Sequence, residues 1–167
     1  MYNEVIHVPL IFRIPGIDTH KIIETPVSTV DILPTVLDIL KIKNPQPIDG
    51  KTLLPLIYGR QSKRGSPIFS ELYSPSAISS TIIKENVKFI YTYTFDPKAP
   101  HKFELYDIRN DPMERINLVD RMKEQADILK RELFTWSSYK LSVKLKIPEA
   151  RIDRKTLEQL KSLGYIH

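Results

Sequence analysis

The segment Phe103–Leu118, with the sequence FELYDIRNDPMERINL, decides the fold predicted for this chain. Phe103, Leu105 and Asp107 alternate with Glu104, Tyr106 and Ile108, which is the period of a strand. The turn residues Asn110, Asp111 and Pro112 then interrupt the pattern, since Asn and Asp bond their own backbone and Pro offers no N–H. The segment therefore predicts a strand, a turn and an entry into a helix.

Three further strands are predicted before this one. They cover Pro67–Tyr73, Ile78–Ile83 and a third run that begins at Val87, after a tight turn at Glu85-Asn86. Consecutive strands joined by short loops pair antiparallel, so we expect a meander of about four strands. One face of the third run carries Val87, Phe89, Tyr91, Tyr93 and Phe95.

A long amphipathic helix is predicted after the turn. Its apolar residues recur at steps of three and four, which predicts a core stripe that covers the sheet rather than a cofactor site. Asp153 is predicted to cap a last short helix that ends at Gly164. The two apolar stripes are Val119, Met122, Ala126, Leu129, Leu133 and Trp136, and then Leu157, Leu160 and Leu163.

The first part of the chain has the pattern of a larger α/β domain. Val5–Ile14 is a nearly continuous apolar run, typical of a strand buried on both faces. Ser28 and Asp31 have the spacing of a capping box, and Pro34 predicts that the helix restarts or kinks there. Thr52–Tyr58 predicts a short helix that ends at Gly59. The apolar stripe of the capped helix is Val30, Leu33, Val36, Leu37 and Leu40.

Composition narrows the class of protein. The 167 residues fit one domain, with 13 Pro, 5 Gly and a net charge of +5. The basic residues are scattered and not interleaved with aromatic ones, so we expect no nucleic-acid partner. No apolar run approaches the roughly 20 residues of a membrane span, and the first residues lack the pattern of a signal peptide. The chain has no Cys, which excludes disulfides, thiolate metal sites and a Cys nucleophile.

Candidate catalytic and metal-binding residues are few. The four histidines, His7, His20, His101 and His167, are too far apart for a short ligand motif, so we interpret them as surface or packing residues. Glu104 and Asp107 face opposite sides of their strand, which disfavours an acid/base pair.

The turn after this strand places several side-chain oxygens close together. Asp107, Asn110 and Asp111 could surround a cation, but turn capping is the favoured interpretation. No phosphate-binding glycine loop or nucleophile elbow is present.

Six motifs resemble the sulfatases of the alkaline phosphatase superfamily, in the order that the family has them. ELYDIRNDPMERINL within 103–118 resembles the family's ELYDL strand, NDP turn, Glu and NL. The other five are YNEVIHVPLI with its closing Pro15-Gly16, PVSTVDILPT at 26–35, DGKTLLPL at 49–56, FSE at 69–71 and LKSLGYI at 160–166. His7 stands where the family usually has Arg.

The resemblance implies hydrolysis of a sulfate ester by a formylglycine, made from Cys or Ser in C/S-x-P-x-R, with a divalent cation, typically calcium. In the family these positions precede the YxE motif, so no catalytic, cofactor-binding or metal residue is assigned in this chain. We expect the chain to be inactive alone and to need an N-terminal sulfatase portion as its partner. A sulfate-ester substrate is expected only for the complete enzyme.

The predicted architecture is α/β for the parent and α+β here. Residues 1–65 are interpreted as the last piece of the large sulfatase domain, and residues 66–167 as a subdomain of antiparallel sheet and helices. The parent could instead be a phosphodiesterase or a phosphoglycerol transferase, and the chain could be a degenerate remnant or a non-catalytic interaction module. Compartment and substrate stay open. Loops near Asp49-Gly50, Tyr73–Ser76 and Asp96–His101 are possible rims of a substrate cleft.

Overall fold

The computed structural model describes residues 1–17, 20–43, 46–61, 63–142 and 153–162. The chain forms two compact units, residues 1–136 and 137–167. The first unit contains a four-stranded sheet and the helices around it. The second contains the end of the long helix and a short helix. The helices are α1 Asn3–Ile6, α2 Ile32–Ile39, α3 Leu54–Ile57, α4 Lys123–Ser142 and α5 Arg154–Ser162, with a 3-10 turn at Thr29–Asp31 before α2.

The predicted antiparallel meander is confirmed. Its strands are β1 Ile68–Tyr73, β2 Ala77–Lys84, β3 Val87–Thr94 and β4 Lys102–Asp107, and they pair in chain order. The turn between β2 and β3 places Glu85 at φ 56°, the left-handed conformation of a tight hairpin. β4 ends at Asp107, before the Asn110-Asp111-Pro112 turn, as the sequence predicts.

One face of the sheet packs against α4. The strand residues Ile82, Phe89 and Leu105 form a buried cluster with three residues of the predicted helical stripe. Trp136 stacks on Phe69 of β1 with ring centroids 4.6 Å apart. The stripe is therefore core, as predicted. Its buried members are Ala126, Leu129 and Leu133.

The opposite face of the sheet is also buried. Lys88, Ile90 and Tyr106 lie on this face and are at most 4% exposed. The first residues of the chain contact it, because the Tyr2 hydroxyl donates to Glu104 and the Lys88 ammonium donates to Asn3. A sheet covered on both sides holds its strands in one register.

The prediction of a buried strand over Val5–Ile14 is wrong. Asn3–Ile6 is the short helix α1, residues 7–14 form neither helix nor strand, and the Ile11 side chain is 88% exposed. A strand needs a neighbour that accepts and donates its backbone hydrogen bonds. Among the described residues, the sheet is built from residues 68–107. At its β4 edge, the Leu105 N–H donates to the Asn117 side chain, and the Leu105 carbonyl accepts the Leu118 N–H.

The helix predicted after Ser28 is confirmed, but its apolar stripe is not core. The Ser28 N–H donates to the Asp31 carboxylate at 3.0 Å, and the regular helix restarts at Ile32, close to Pro34. Leu33 and Leu40 are 54% and 60% exposed. The pattern identified the helix correctly but gave no information on whether a partner covers it.

The smaller elements follow their local signals. α3 ends before Gly59, which has φ 70° and so adopts the conformation that Gly tolerates best. Asp153 caps α5 by accepting the Thr156 N–H at 2.9 Å. Leu163 and the predicted cap Gly164 lie outside the described residues. The division at residue 65 stays a prediction.

Candidate functional site

Asp31, at the centre of the motif PVSTVDILPT, is a buried hub for residues 28–67. Its side chain is 0% exposed, and its carboxylate receives two hydrogen bonds from the Arg64 guanidinium, at 2.6 and 2.8 Å. It also accepts the backbone N–H of Ser28 at 3.0 Å and that of Lys51 at 2.9 Å. Burial alone would raise the pKa of Asp31, but these hydrogen bonds outweigh it and lower the pKa. The aspartate is held as a carboxylate by its structural partners.

The motif DGKTLLPL packs directly on this hub. The Thr35 hydroxyl donates to the Asp31 carbonyl at 2.6 Å and accepts the Leu53 N–H at 2.9 Å. A Cβ on Gly50 would lie 1.9 Å from the Val30 carbonyl oxygen, so only Gly fits there. The Gly in this motif therefore allows two backbones to approach, and Asp49-Gly50 lies at the hub.

Arg64 is the second half of the hub and was not identified from the sequence. It lies among the polar residues that precede β1, yet its side chain is 8% exposed. Its Nη1 donates to the carbonyl oxygens of Ser66 and Pro67, at 2.9 and 2.8 Å. The guanidinium thus ties α2 to the start of β1. A single Arg in a polar run carries no sequence signal of burial.

A second buried ion pair anchors the segment Phe103–Leu118. The Lys88 ammonium on β3 lies 2.6 Å from the Glu114 carboxylate, with side chains 0% and 2% exposed. Glu114 also accepts the Asn3 N–H at 2.6 Å, and Lys88 donates to the Asn3 side chain at 3.1 Å. Burial lowers the pKa of Lys88, and the Glu114 carboxylate opposes that shift. Glu114 adopts φ 53°, the left-handed conformation, and its carboxylate contacts the sheet at Lys88.

Glu104 belongs to the same region and serves two tyrosines. The hydroxyls of Tyr2 and Tyr106 donate to its Oε1 at 2.8 and 2.9 Å. Burial, followed by the bond to Glu104, raises the pKa of Tyr106 far above its usual value. Both phenols are therefore neutral donors, and Glu104 is occupied by them rather than paired with Asp107 for acid/base chemistry.

The oxygens of the NDP turn cap its backbone. Asp107 accepts the N–H groups of Arg109 and Asn110, both at 3.1 Å, and Asp111 accepts the Ile116 N–H at 2.8 Å. Hydrogen bonds from Asn110 lower the pKa of Asp107. Within the described ranges, no group of three or more His, Asp or Glu residues could hold a metal ion. The contacts of Asp107 and Asp111 are those of turn capping.

The histidines are separate from one another in the part of the chain that the structure describes. His7, His20 and His101 are exposed, and the His101 ring stacks on Tyr93 at 4.8 Å between centroids. His167 lies outside the described residues.

Two of the three predicted rim loops meet in space. The Phe95 N–H donates to the Ser76 carbonyl at 3.0 Å, which joins the β1–β2 turn to the loop after β3. The loops Tyr73–Ser76 and Asp96–His101 thus form one end of the sheet, whereas Asp49-Gly50 lies at the Asp31 hub.

Residues 1–137 match the family described as N-sulphoglucosamine sulphohydrolase, C-terminal. The chain belongs to this sulfatase family. Glu114 and Asp31, which lie in the NDP-x-E and V-S-x-x-D motifs of the sequence, form the two buried ion pairs described above. None of the described helices is long and apolar enough to cross a membrane.

Individual sulfatases match over most of the chain. Arylsulfatase K of Xenopus laevis is 32% identical over 143 residues, which are 80% of this chain and 26% of that protein. Delta 4,5-hexuronate-2-O-sulfatase of Bacteroides thetaiotaomicron is 33% identical over 126 residues, 70% of this chain and 25% of that protein. The chain spans about a quarter of the length of the relatives that it matches.

Solved structures show the same fold. The structure of Ps i-CgsB in complex with k-i-k-neocarrahexaose has a TM-score of 0.57 and 22% identity, covering 69% of this chain and 25% of that one. A protein solved with its substrate, D-glucosamine-2-N, 6-O-disulfate, has a TM-score of 0.51 and 25% identity, covering 68% of this chain and 24% of that one. The four-stranded sheet with its helix is a sulfatase C-terminal fold.

Proposed function

We propose that this sulfatase C-terminal chain acts in sulfate-ester hydrolysis only together with an N-terminal sulfatase portion, and that it is not catalytic alone. The observation that carries the proposal is a set of exposed aliphatic side chains within residues 5–42, which we call the docking surface. Its exposed members are Val5, Val8, Leu10, Ile11, Ile22, Ile23, Val30, Leu33, Val36, Leu40 and Ile42.

The docking surface has the chemistry of a large protein contact. Ile11 and Ile22 are 88% and 92% exposed, which is costly for aliphatic side chains in water. Extensive exposed apolar patches mark surfaces that a partner covers. Residues 5–42 lie within residues 1–65, which the sequence assigns to the large sulfatase domain, so the rest of that domain is the partner that fits.

The buried charges of this chain support a structural role. Asp31 is bound to Arg64 and Lys88 to Glu114, so these strongly desolvated groups stabilise the fold rather than await a substrate. The sequence has no Cys and no S-x-P-x-R, and therefore no residue that could become a formylglycine by the family's route. In this proposal the formylglycine and the calcium ion belong to the N-terminal portion.

The proposed substrate of the complete enzyme is a sulfated saccharide. The names of the relatives support this class, since one is a hexuronate sulfatase and two solved structures contain a carrageenan hexaose and a glucosamine disulfate. These belong to the relatives, and the assignment to this chain is a proposal.

The nucleotide sequence immediately before the Met1 codon is the first test. We expect it to encode C/S-x-P-x-R and a metal-binding segment in one of its frames. That portion, co-expressed with this chain and the formylglycine-generating enzyme, should hydrolyse p-nitrophenyl sulfate, whereas this chain alone should not. Hydrolysis by the chain alone would contradict the proposal, as would an inactive complex of the two portions.

A matched pair of variants tests the docking surface. Leu33→Lys places a charge on the surface and should reduce the activity of the co-expressed portions about tenfold or more. Gln61→Lys adds the same charge at an exposed polar position and should leave that activity unchanged. Equal activity of both variants would show that α2 does not contribute to the contact. A bis(p-nitrophenyl) phosphate assay of the same complex distinguishes a sulfatase from a phosphodiesterase.

A further inference from the structure

One end of the sheet carries a group of exposed aromatic rings, which we call the aromatic platform. It consists of Tyr73, Tyr93, Phe95 and His101. Tyr73 and Tyr93 both flank Ile78 in the strand register, so they share the face on which α4 packs further along. Tyr73, Tyr93 and Phe95 are 65%, 41% and 48% exposed.

Three rings of the platform, Tyr93, Phe95 and His101, are in contact. His101 stacks on Tyr93 at 4.8 Å with 23° between the ring planes, and Phe95 meets Tyr93 edge-on at 5.8 Å. The Phe95 N–H bond to the Ser76 carbonyl fixes the end of β3 against the β1–β2 turn. The platform is therefore anchored by the sheet and exposes its rings to solvent in a fixed arrangement.

Polar groups frame the platform. The Tyr73 hydroxyl donates to the Glu71 carboxylate at 3.2 Å, and the Ser80 hydroxyl also reaches Glu71, at 3.4 Å. Lys98 is exposed in the neighbouring loop, where Asp96 accepts its N–H at 2.9 Å. Lys98 thus lies in the loop that joins Phe95 to His101, two members of the platform.

This chemistry differs from that of the docking surface. The docking surface exposes aliphatic Val, Leu and Ile, whereas the platform exposes rings, hydroxyls and a cation. A sugar ring has faces of weakly positive C–H groups that lie against the negative face of an aromatic ring, and a rim of hydroxyls that require polar partners. Lys98 complements an anionic substituent on such a ring.

We propose that the aromatic platform binds a saccharide ring by stacking on Phe95 and Tyr93, with Lys98 contacting an anionic group of the same chain. The inference rests on the proposed function for the choice of a sulfated saccharide. It goes beyond that function by placing a contact for the saccharide chain on the C-terminal sheet, outside the portion that would hold the formylglycine.

The test is a titration of the isotope-labelled 167-residue chain with a sulfated heparin hexasaccharide, followed by NMR amide shifts. We expect shifts at residues 73–78 and 93–101. Phe95→Ala should weaken binding about three- to tenfold, the range expected for one aromatic stacking contact. Tyr58→Ala, which removes a 52% exposed ring beside α3, should not change it. Lys98→Ala should weaken binding of the sulfated saccharide more than that of its desulfated form.

Phe95→Leu separates stacking from simple apolar contact. Leu keeps an apolar side chain but has no ring, so we expect binding to be as weak as in Phe95→Ala. Binding retained by Phe95→Leu, shifts confined to other residues, or no shifts at millimolar saccharide would each overturn the inference. The spectra also report whether each variant is folded. Binding is measured without hydrolysis, so failure here is distinct from failure of the co-expression assay.

Discussion

The region built around the sheet buries its apolar side chains, whereas the region of residues 5–42 exposes many of its own. Ile82, Leu129 and Leu133 are 0% exposed between the sheet and α4, whereas Leu33 on α2 is 54% exposed. Both regions carry apolar residues at helical spacing in the sequence. The difference is that the stripe of α4 meets a sheet from the same chain, whereas that of α2 faces solvent.

This comparison separates two sources of stability in the first unit. The sheet and α4 are stabilised by burial of apolar surface. Residues 20–67 are instead held by the polar Asp31 hub, whose partners come from three separate segments. A region fixed by a few strong polar contacts can keep its conformation while it exposes the surface that a partner covers.

Breaking the hub is expected to have the largest effect. Arg64→Leu leaves the Asp31 carboxylate buried without its cation and should lower the free energy of unfolding by about 3–5 kcal/mol. Chemical denaturation measures this change. Lys63→Ala removes the ion pair of Lys63 with Glu85, whose side chains are 68% and 63% exposed, and should change the free energy of unfolding far less. Similar values for the two variants would mean that the hub does not hold this region.

Truncation of matched leucines tests the contrast directly. Leu129→Ala opens a cavity under the sheet and should cost about 2–5 kcal/mol. Leu33→Ala removes an exposed side chain and should stay within about 0.5 kcal/mol. Thermal or urea unfolding of the two variants provides the comparison. A large loss for Leu33→Ala in the isolated chain would show that α2 packs against a core within this chain.

The smallest expected effect is the contribution of Asp31 to acid unfolding. Its folded-state pKa is lowered, so the unfolded chain binds more protons, and the stability that Asp31 contributes is present above about pH 4 and lost as pH falls through the folded-state pKa. Asp31→Asn should flatten the fall of unfolding free energy below pH 4. The same pH dependence is measured for Asp107→Asn, because hydrogen bonds at the turn also lower the pKa of the Asp107 carboxyl. An unchanged slope in Asp31→Asn would contradict the assignment.

Local signals in the sequence were sufficient for most elements. The meander, the turn after Asp107 and the stripe of α4 follow from strand period, turn chemistry and helical spacing, all of which act between near neighbours. The strand predicted at Val5–Ile14 failed because an extended run becomes a strand only beside another strand, and the run contains no information about whether one is present.

The polar pairs could not be predicted in the same way. Lys88 and Glu114 are separated by a strand, a loop and a turn, and Arg64 lies in a run of polar residues that is typical of a surface. Burial of a charge depends on a partner that is distant in the sequence. The sequence places Asp31, Gly50 and Glu114 in motifs, whereas only the structure shows their contacts.

The sequence by itself determined the family, the four strands, the capped helices and the lack of a formylglycine motif, because each is written in residue type and short-range spacing. The tertiary structure decided which apolar faces are covered, which charges are paired and which loops meet at the aromatic platform. These depend on contacts between distant segments, which residue patterns along the chain do not encode.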